Sequence, residues 1–112
     1  MNHFLEIRSY NLRAGRREEF HQLFLEVAFP LLKHWNIDVV SHGPSLHDEN
    51  SYYLMRRYDS LAHREESENT FYGSEEWRQG PREAILACIE NYTEVVLALD
   101  EVTLQRLRTA SG

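Results

Sequence analysis

Two segments of the chain carry charged and phenol side chains at alternate positions. These segments are His3–Tyr10 and Ser51–Tyr58. Alternate residues of a β-strand point to the same face of a sheet, so the polar side chains of each segment share one face. His42, from a strand predicted between the two segments, can join them. The candidate ligand-binding residues are therefore Glu6, Arg8, Tyr10, His42, Arg56 and Tyr58.

The residue types of this set suit the binding of a small organic anion. An arginine binds a carboxylate or a phosphate through two parallel hydrogen bonds. A tyrosine or histidine beside it can polarise a carbonyl group or accept a proton. The alternative is that Glu6 and the arginines pair with one another across a dimer, which would neutralise charges that burial penalises. The sequence leaves both readings open and assigns no catalytic residue.

Other kinds of site have little support in the sequence. The six histidines form no HExxH pattern and no CxxC pair is present, so we expect no metal site and no cofactor. Ser41–Ser45 lacks the GxSxG elbow of serine hydrolases, and Cys88 lies in an apolar helix stripe that is typical of core filler. Gly73 and Gly80 are isolated, so no phosphate-binding loop is predicted.

Two further features lie on predicted helices. Trp77 is interpreted as a core residue at a helix end, with the mouth of a pocket as its alternative position. The acidic residues Glu65, Glu66 and Glu68 are interpreted as a solvated helix face.

A change of period marks the end of the first strand and the start of a helix. Apolar side chains recur every three or four positions over Arg16–Trp35, which predicts an amphipathic helix. Pro30 lies inside it and lacks an N–H donor, so we predict a bend there. The predicted inward stripe consists of Phe20, Leu23, Phe24, Val27, Leu31 and Trp35.

Two strands, over Ile37–Leu46 and Ser51–Tyr58, follow as an antiparallel hairpin. Pro44 restricts the first of them to an edge of the sheet. Ser60 can cap a second helical region from Leu61, which the two isolated glycines interrupt. The last strand is predicted over Thr93–Leu99, and a short helix is predicted in the tail after it.

This order of elements, β-α-β-β-α-β, predicts an α+β protein with the ferredoxin-like fold, a four-stranded antiparallel sheet with helices on one face. The chain is interpreted as a single domain over residues 1–112, with a core at about 3–99 and a C-terminal tail at 100–112.

The sheet face that the helices leave bare is predicted to be too apolar for water alone. We place Phe4, Tyr10, Leu54 and Tyr58 on this face, together with the candidate set. The run Val95–Leu99 is apolar at every position, whereas a strand with one wet face alternates. We therefore predict a homodimer in which the same face of a second copy closes a barrel. The alternative is that the C-terminal tail folds back over the last strand.

Composition argues against several classes of partner. The formal net charge of −6 disfavours nucleic acid, since phosphate binding needs a clustered excess of Lys and Arg. No apolar stretch approaches the ~20 residues that span a bilayer. Met1 leads directly into the first strand, so no signal peptide is expected. A single cysteine is compatible with a reducing compartment, and we expect a cytoplasmic protein.

A set of short motifs links the chain to a known family. They are Glu6–Tyr10, Phe29–Lys33, Arg57–Leu61, Phe71–Tyr72, Ser74–Trp77 and Gly80–Arg82. With these, residues 4 to 99 resemble the NIPSNAP family of the dimeric α+β-barrel superfamily. The resemblance implies the fold and a homodimer. Bacterial members mostly lack an assigned reaction, animal members are linked to mitochondria and trafficking, and the wider superfamily includes cofactor-free monooxygenases and heme-binding proteins. The chain departs from the family pattern at His63, where Glu commonly completes a capping box.

Three functions are therefore considered. The first is a homodimer that binds a small organic acid or aromatic compound, with Arg8 and Arg56 holding the anion and Tyr58 or His42 donating a proton. The second is a cofactor-independent oxygenase or isomerase acting on a small aromatic compound, with His42 or Glu6 as the base. The third is a non-catalytic protein-interaction module.

Overall fold

Four antiparallel strands form one sheet in the order β2-β3-β1-β4. The computed structural model describes residues 2–111. Its strands are β1 (His3–Leu12), β2 (Asp38–Pro44), β3 (Ser51–Tyr58) and β4 (Ile89–Leu99). The predicted ferredoxin-like fold is confirmed. The strand β2 lies at an edge of the sheet, which is where a proline such as Pro44 is tolerated.

Helices connect the strands and follow the last of them. They are α1 (Arg17–Leu23), a π-helical turn (Phe24–Ala28), α2 (Phe29–His34), α3 (Leu61–Gly73), α4 (Glu75–Gln79), α5 (Arg82–Cys88) and α6 (Glu101–Ser111). No helix within residues 2–111 is long and apolar enough to cross a bilayer.

The long helix predicted around Pro30 forms as α1 and α2, which a π-helical turn joins directly before Pro30. A proline cannot donate to the carbonyl four residues earlier, and a wider turn relieves this defect. The extra residue in the turn moves the inward face along by one position. Ala28 and Leu32 are buried after Phe24, whereas the sequence predicts Val27 and Leu31 there.

The helices between the strands cover the sheet face that carries Tyr10, Leu54 and Tyr58, and all three side chains are buried in the main core. The prediction that this face is bare is therefore wrong. Alternation divides the residues of a strand between two faces, but it does not determine which face the helices cover. Phe20 of α1, for example, stacks against Tyr10 at a ring distance of 5.2 Å.

The opposite face of the sheet is covered only in part, by α6. Leu104 of this helix is 2% exposed and packs with Leu5 and Val40. Arg108 fixes the helix through two hydrogen bonds to the carboxylate of Asp38, at 2.7 and 2.9 Å. The tail thus folds back over the sheet, but it leaves Val95 of the last strand 54% exposed.

Candidate functional site

A buried network of ion pairs lies between the sheet and helix α3. The register of β1 and β3 places Glu6 directly opposite Arg56. The fully buried guanidinium of Arg56 donates to Glu6 Oε1 from Nε at 3.0 Å and from Nη2 at 2.5 Å. It also donates to Glu68 Oε2 at 3.2 Å and to the Tyr72 hydroxyl at 2.9 Å. Two strands and one helix are joined at this guanidinium.

Arg8 and Arg64 extend the network towards the edge strand β4. Arg8 donates to Glu94 Oε2 at 3.0 Å and to Glu68 Oε1 at 3.3 Å. Arg64 donates to Glu6 Oε2 at 2.7 Å and to Glu94 Oε1 at 3.0 Å. Three arginines therefore face three glutamates, and the pairing that the sequence leaves open as an alternative occurs within one chain.

The two inner carboxylates differ in their affinity for protons. Burial raises the pKa of Glu6, but the hydrogen bond with Glu68 and the charges of Arg56 and Arg8 outweigh it and lower the pKa to about 2. Burial and the hydrogen bond with Glu6 raise the pKa of Glu68 to about 7. Of the two carboxyl groups, Glu68 therefore keeps its proton to the higher pH. The Tyr58 hydroxyl donates to Glu68 Oε2 at 2.8 Å.

The carboxylate oxygens of Glu6, Glu68 and Glu94 lie within 4.8 Å of one another, a spacing that could hold a metal ion. Each of these carboxylates, however, accepts at least one arginine hydrogen bond. A cation would have to displace guanidinium groups that already neutralise the cluster. The donor set fits an ion-pair network better than it fits a metal centre.

A cavity of about 260 Å³ lies beside Arg8 and is lined mainly by aromatic and aliphatic side chains. The guanidinium of Arg8 lies 4.7 Å from the ring centre of Tyr92 and 5.4 Å from that of Tyr72. The lining residues are Arg8, Tyr10, Tyr72, Trp77, Arg82, Ile85, Leu86, Ile89 and Tyr92. Burial raises the pKa of Tyr10 to about 12, so its phenol stays neutral at ordinary pH. The cavity therefore joins an apolar interior to the ion-pair network.

A second, polar hollow of about 690 Å³ adjoins this cavity and shares Tyr72 and Arg82 with it. Its remaining lining residues are Gly73, Glu75, Arg78 and Gln79. The exposed Arg82 therefore stands where the apolar cavity meets the polar surface.

The predicted candidate set is divided between two places. Glu6, Arg56 and Tyr58 lie in the ion-pair network, Tyr10 lines the cavity, and Arg8 belongs to both. The whole set faces the helices, which corrects its predicted position on the opposite face.

His42 lies apart from the other candidates. Its Nδ1 is 3.1 Å from the Tyr52 hydroxyl, and its ring is 4.6 Å from that of Phe24. Burial and the nearby His21 lower its pKa. His42 is therefore not part of the cavity beside Arg8.

The interpretation of Glu68 as part of a solvated helix face is wrong, because its side chain is only 12% exposed. Arg64, Glu68 and Tyr72 follow one another at intervals of four residues on α3, and all three contact the network. This spacing places them on one face of a helix. It is the signal that could have identified them from the sequence.

Comparison with known proteins identifies the family. The NIPSNAP family profile matches residues 5–100. No curated protein is significantly similar to the chain. A NIPSNAP family protein from Agrobacterium tumefaciens has a similar structure, with a TM-score of 0.82, 18% identity, and coverage of 93% of this chain and 91% of that one. A NIPSNAP-like domain protein from Burkholderia xenovorans has a TM-score of 0.80 and 18% identity over 88% of this chain and 86% of that one.

More distant similarity extends to other ferredoxin-like proteins. A putative antibiotic biosynthesis monooxygenase from Nitrosomonas europaea has a TM-score of 0.63 and 10% identity over 84% of this chain and 95% of that one. Such low identity supports the shared fold alone. Because the family profile spans nearly the whole sheet and its helices, the chain belongs to the NIPSNAP family.

Proposed function

We propose that this protein binds a small organic molecule in the cavity beside Arg8. The observation that carries the proposal is the cavity itself, about 260 Å³ in volume and lined by Tyr10, Trp77 and Tyr92. The proposed site lies between the sheet and the helices of one chain, instead of inside a barrel between two sheets. Ligand pockets usually enclose about 300–1,000 Å³, and this cavity is slightly smaller than that range. We therefore expect the ligand to be a small compound with a single ring.

The ion-pair network supports the site by fixing Arg8. Three side chains, Glu94, Glu68 and Tyr72, accept hydrogen bonds from its guanidinium. A binding site gains affinity when its groups are already held in place before the ligand arrives. We assign Arg56 to the same supporting role, since it is fully buried and donates to Glu6, among others.

An oxygenase or isomerase is the second candidate, and no particular observation favours it. Of the two bases considered, His42 lies outside the cavity and Glu6 is paired with arginines. A carboxylate whose pKa is lowered to about 2 is a weak base. The similarity to putative monooxygenases is a similarity of fold, so it does not supply the missing group.

We also propose that the protein is a homodimer, in which the partner covers the open part of the sheet. Met55, Ile7 and Val95 form a row across three strands on the face opposite the main helices. Leu97 lies in the next row and is 37% exposed. A two-fold contact would pair this surface with its own copy. A non-catalytic interaction module would use the same surface for a different partner.

The dimer is tested by measuring mass in solution with light scattering. Val95→Glu places a charge in the centre of the open face, and we expect it to convert the dimer into a monomer. Val27→Glu is the matched control, because Val27 is 40% exposed on the helical layer. A wild-type protein that is monomeric at micromolar concentration contradicts the dimer.

Ligand binding is tested with a panel of one-ring compounds, namely phenol, indole, benzamide and benzoate, in a thermal-shift assay. A ligand at 100 times its Kd adds about 2.7 kcal/mol to the free energy of unfolding. Leu86→Trp partly fills the cavity, and we expect it to abolish the shift. Leu61→Trp alters another exposed leucine, which does not line the cavity, and should retain the shift. If no panel member at millimolar concentration shifts the wild type, the proposal is wrong.

We also propose that residues 1–112 form a single domain and that the protein is cytoplasmic. The free and fully buried Cys88 supports this location, since a thiol that has no disulfide partner suits a reducing compartment.

A further inference from the structure

We propose that the ligand is a carboxylate carried on a single ring, with the ring in the cavity beside Arg8 and the carboxylate on Arg82. This inference rests on the proposed function and names the chemical class of the ligand. Three observations lead to it: an arginine at the cavity without an internal partner among the described residues, the aromatic lining of the cavity, and the charged residues of the adjoining hollow.

Arg82 supplies the positive charge that a ligand in the cavity can reach. Arg8, the other guanidinium at the cavity, already donates to Glu94, Glu68 and Tyr72. Among the side chains that the structure describes, no hydrogen bond or ion pair engages Arg82. Its guanidinium can therefore bind a carboxylate through two parallel hydrogen bonds without first releasing an internal partner.

The walls of the cavity suit a flat ring. Trp77 and Tyr10 are nearly buried, with 8% and 7% of their surfaces exposed, and Tyr92 closes the side formed by β4. Aromatic rings prefer offset or edge-to-face contacts with one another. Ile85 and Ile89 add aliphatic surface to this lining.

The polar hollow at the mouth favours a single negative charge. Arg82 and Arg78 lie there together with the carboxylate of Glu75. A monoanion such as a carboxylate is fully neutralised by Arg82. A phosphate monoester carries nearly two negative charges at neutral pH, which is more than the formal net charge of +1 that Arg82, Arg78 and Glu75 give the hollow.

The test compares four probes of similar size by isothermal titration calorimetry at low salt. The probes are benzoate, benzamide, phenyl phosphate and hexanoate. We expect benzoate to bind at least about tenfold more tightly than benzamide, because charge-assisted hydrogen bonds between an arginine and a carboxylate are stronger than those to a neutral amide. Arg82→Gln should reduce the affinity for benzoate to that for benzamide and leave benzamide unchanged. Arg78→Gln is the control and should retain most of the preference.

The remaining outcomes separate this inference from the proposed function. Equal affinities for benzoate and benzamide would refute the preference for a carboxylate and leave the proposed binding of a ring compound intact. Tighter binding of phenyl phosphate would assign the site to phosphate esters, and tighter binding of hexanoate would exclude the ring. If none of the four probes binds, the proposed ligand-binding function fails together with the inference. If benzoate keeps its advantage in Arg82→Gln, Arg82 is not the anchor.

Discussion

The guanidinium of Arg56 is fully buried, so water cannot solvate its charge. A buried charge destabilises the folded state unless hydrogen bonds satisfy it completely. Glu6, Glu68 and Tyr72 supply those hydrogen bonds. Because Tyr72 and Glu68 also accept from Arg8, at 3.2 and 3.3 Å, the fully buried part of the network is connected to the wall of the cavity.

The proton on Glu68 leads to a prediction about pH. The pKa of this carboxyl is raised from 4.5 to about 7, so between these values the folded state holds a proton that the unfolded state has released. The contribution of this raised pKa to the free energy of unfolding is present below pH 4.5 and is lost as the pH rises to 7. A tenfold change in proton affinity corresponds to about 1.4 kcal/mol, and partial screening by solvent reduces the total to roughly 1–2 kcal/mol.

Urea unfolding of the wild type and of Glu68→Gln between pH 4.5 and pH 8 measures this contribution. We expect the variant to gain stability relative to the wild type as pH rises, because its amide does not titrate. His42, whose pKa is lowered, acts in the opposite direction in both proteins and cancels in the difference. Glu65→Gln, at an exposed position of the same helix, should show no such trend. A constant difference between Glu68→Gln and the wild type contradicts the prediction.

At the scale of elements, the start of α3 determines where the network residues of this helix lie. The Ser60 hydroxyl accepts a hydrogen bond from the backbone N–H of His63 at 2.9 Å. In return, His63 Nδ1 accepts from the backbone N–H of Asp59 at 2.9 Å. An imidazole thus performs a role close to that of the glutamate which commonly completes this capping box. His63 therefore contributes to the cap at the start of this helix.

Removal of this cap should destabilise the protein by a measurable amount. We expect Ser60→Ala to lower the free energy of unfolding by about 1 kcal/mol, because one backbone donor loses its acceptor. Ser60→Asp restores an acceptor and should recover most of the loss. Ser67→Ala, within the same helix, provides the control for a change of serine as such. Equal effects of the two alanine substitutions in urea unfolding would refute the role of the cap.

At the scale of the whole molecule, α6 completes a second, smaller core on the other side of the sheet. Leu104 is 2% exposed and Val102, on the same helix, is 61% exposed. We expect Leu104→Ala to lower the free energy of unfolding by about 2–4 kcal/mol, since it removes a buried side chain and leaves a cavity. Val102→Ala should have an effect below about 0.5 kcal/mol. A similar midpoint shift for both variants would show that α6 does not stabilise the sheet.

The elements themselves could be predicted because their patterns are local. Alternation over Ser51–Tyr58 predicts β3 with the bounds that the structure has. Turn and cap residues such as Ser60 mark the boundaries of helices in the same way. The π-helical turn before Pro30 is the exception, because the sequence predicts only a bend there and does not reveal the extra residue that shifts the inward face.

The candidate site could be predicted only in part. Alternation correctly groups Glu6, Arg8 and Arg56 on one face, but it places that face on the wrong side of the sheet. Alternation also groups His42 with these residues, whereas in the structure His42 contacts Tyr52 and Phe24 instead. The missed residue Glu68 lies on a helix that supplies the partners of the strand arginines.

The sequence by itself determined the order of elements, the family and the residues that share a face. The tertiary structure decided which face the helices cover, how the charges pair and where the cavity lies. The physical reason is the distance along the chain over which each feature is encoded. A strand or a cap depends on neighbouring residues, whereas the pairing of Glu6 with Arg56 joins positions 50 residues apart and exists only once β1 and β3 have paired.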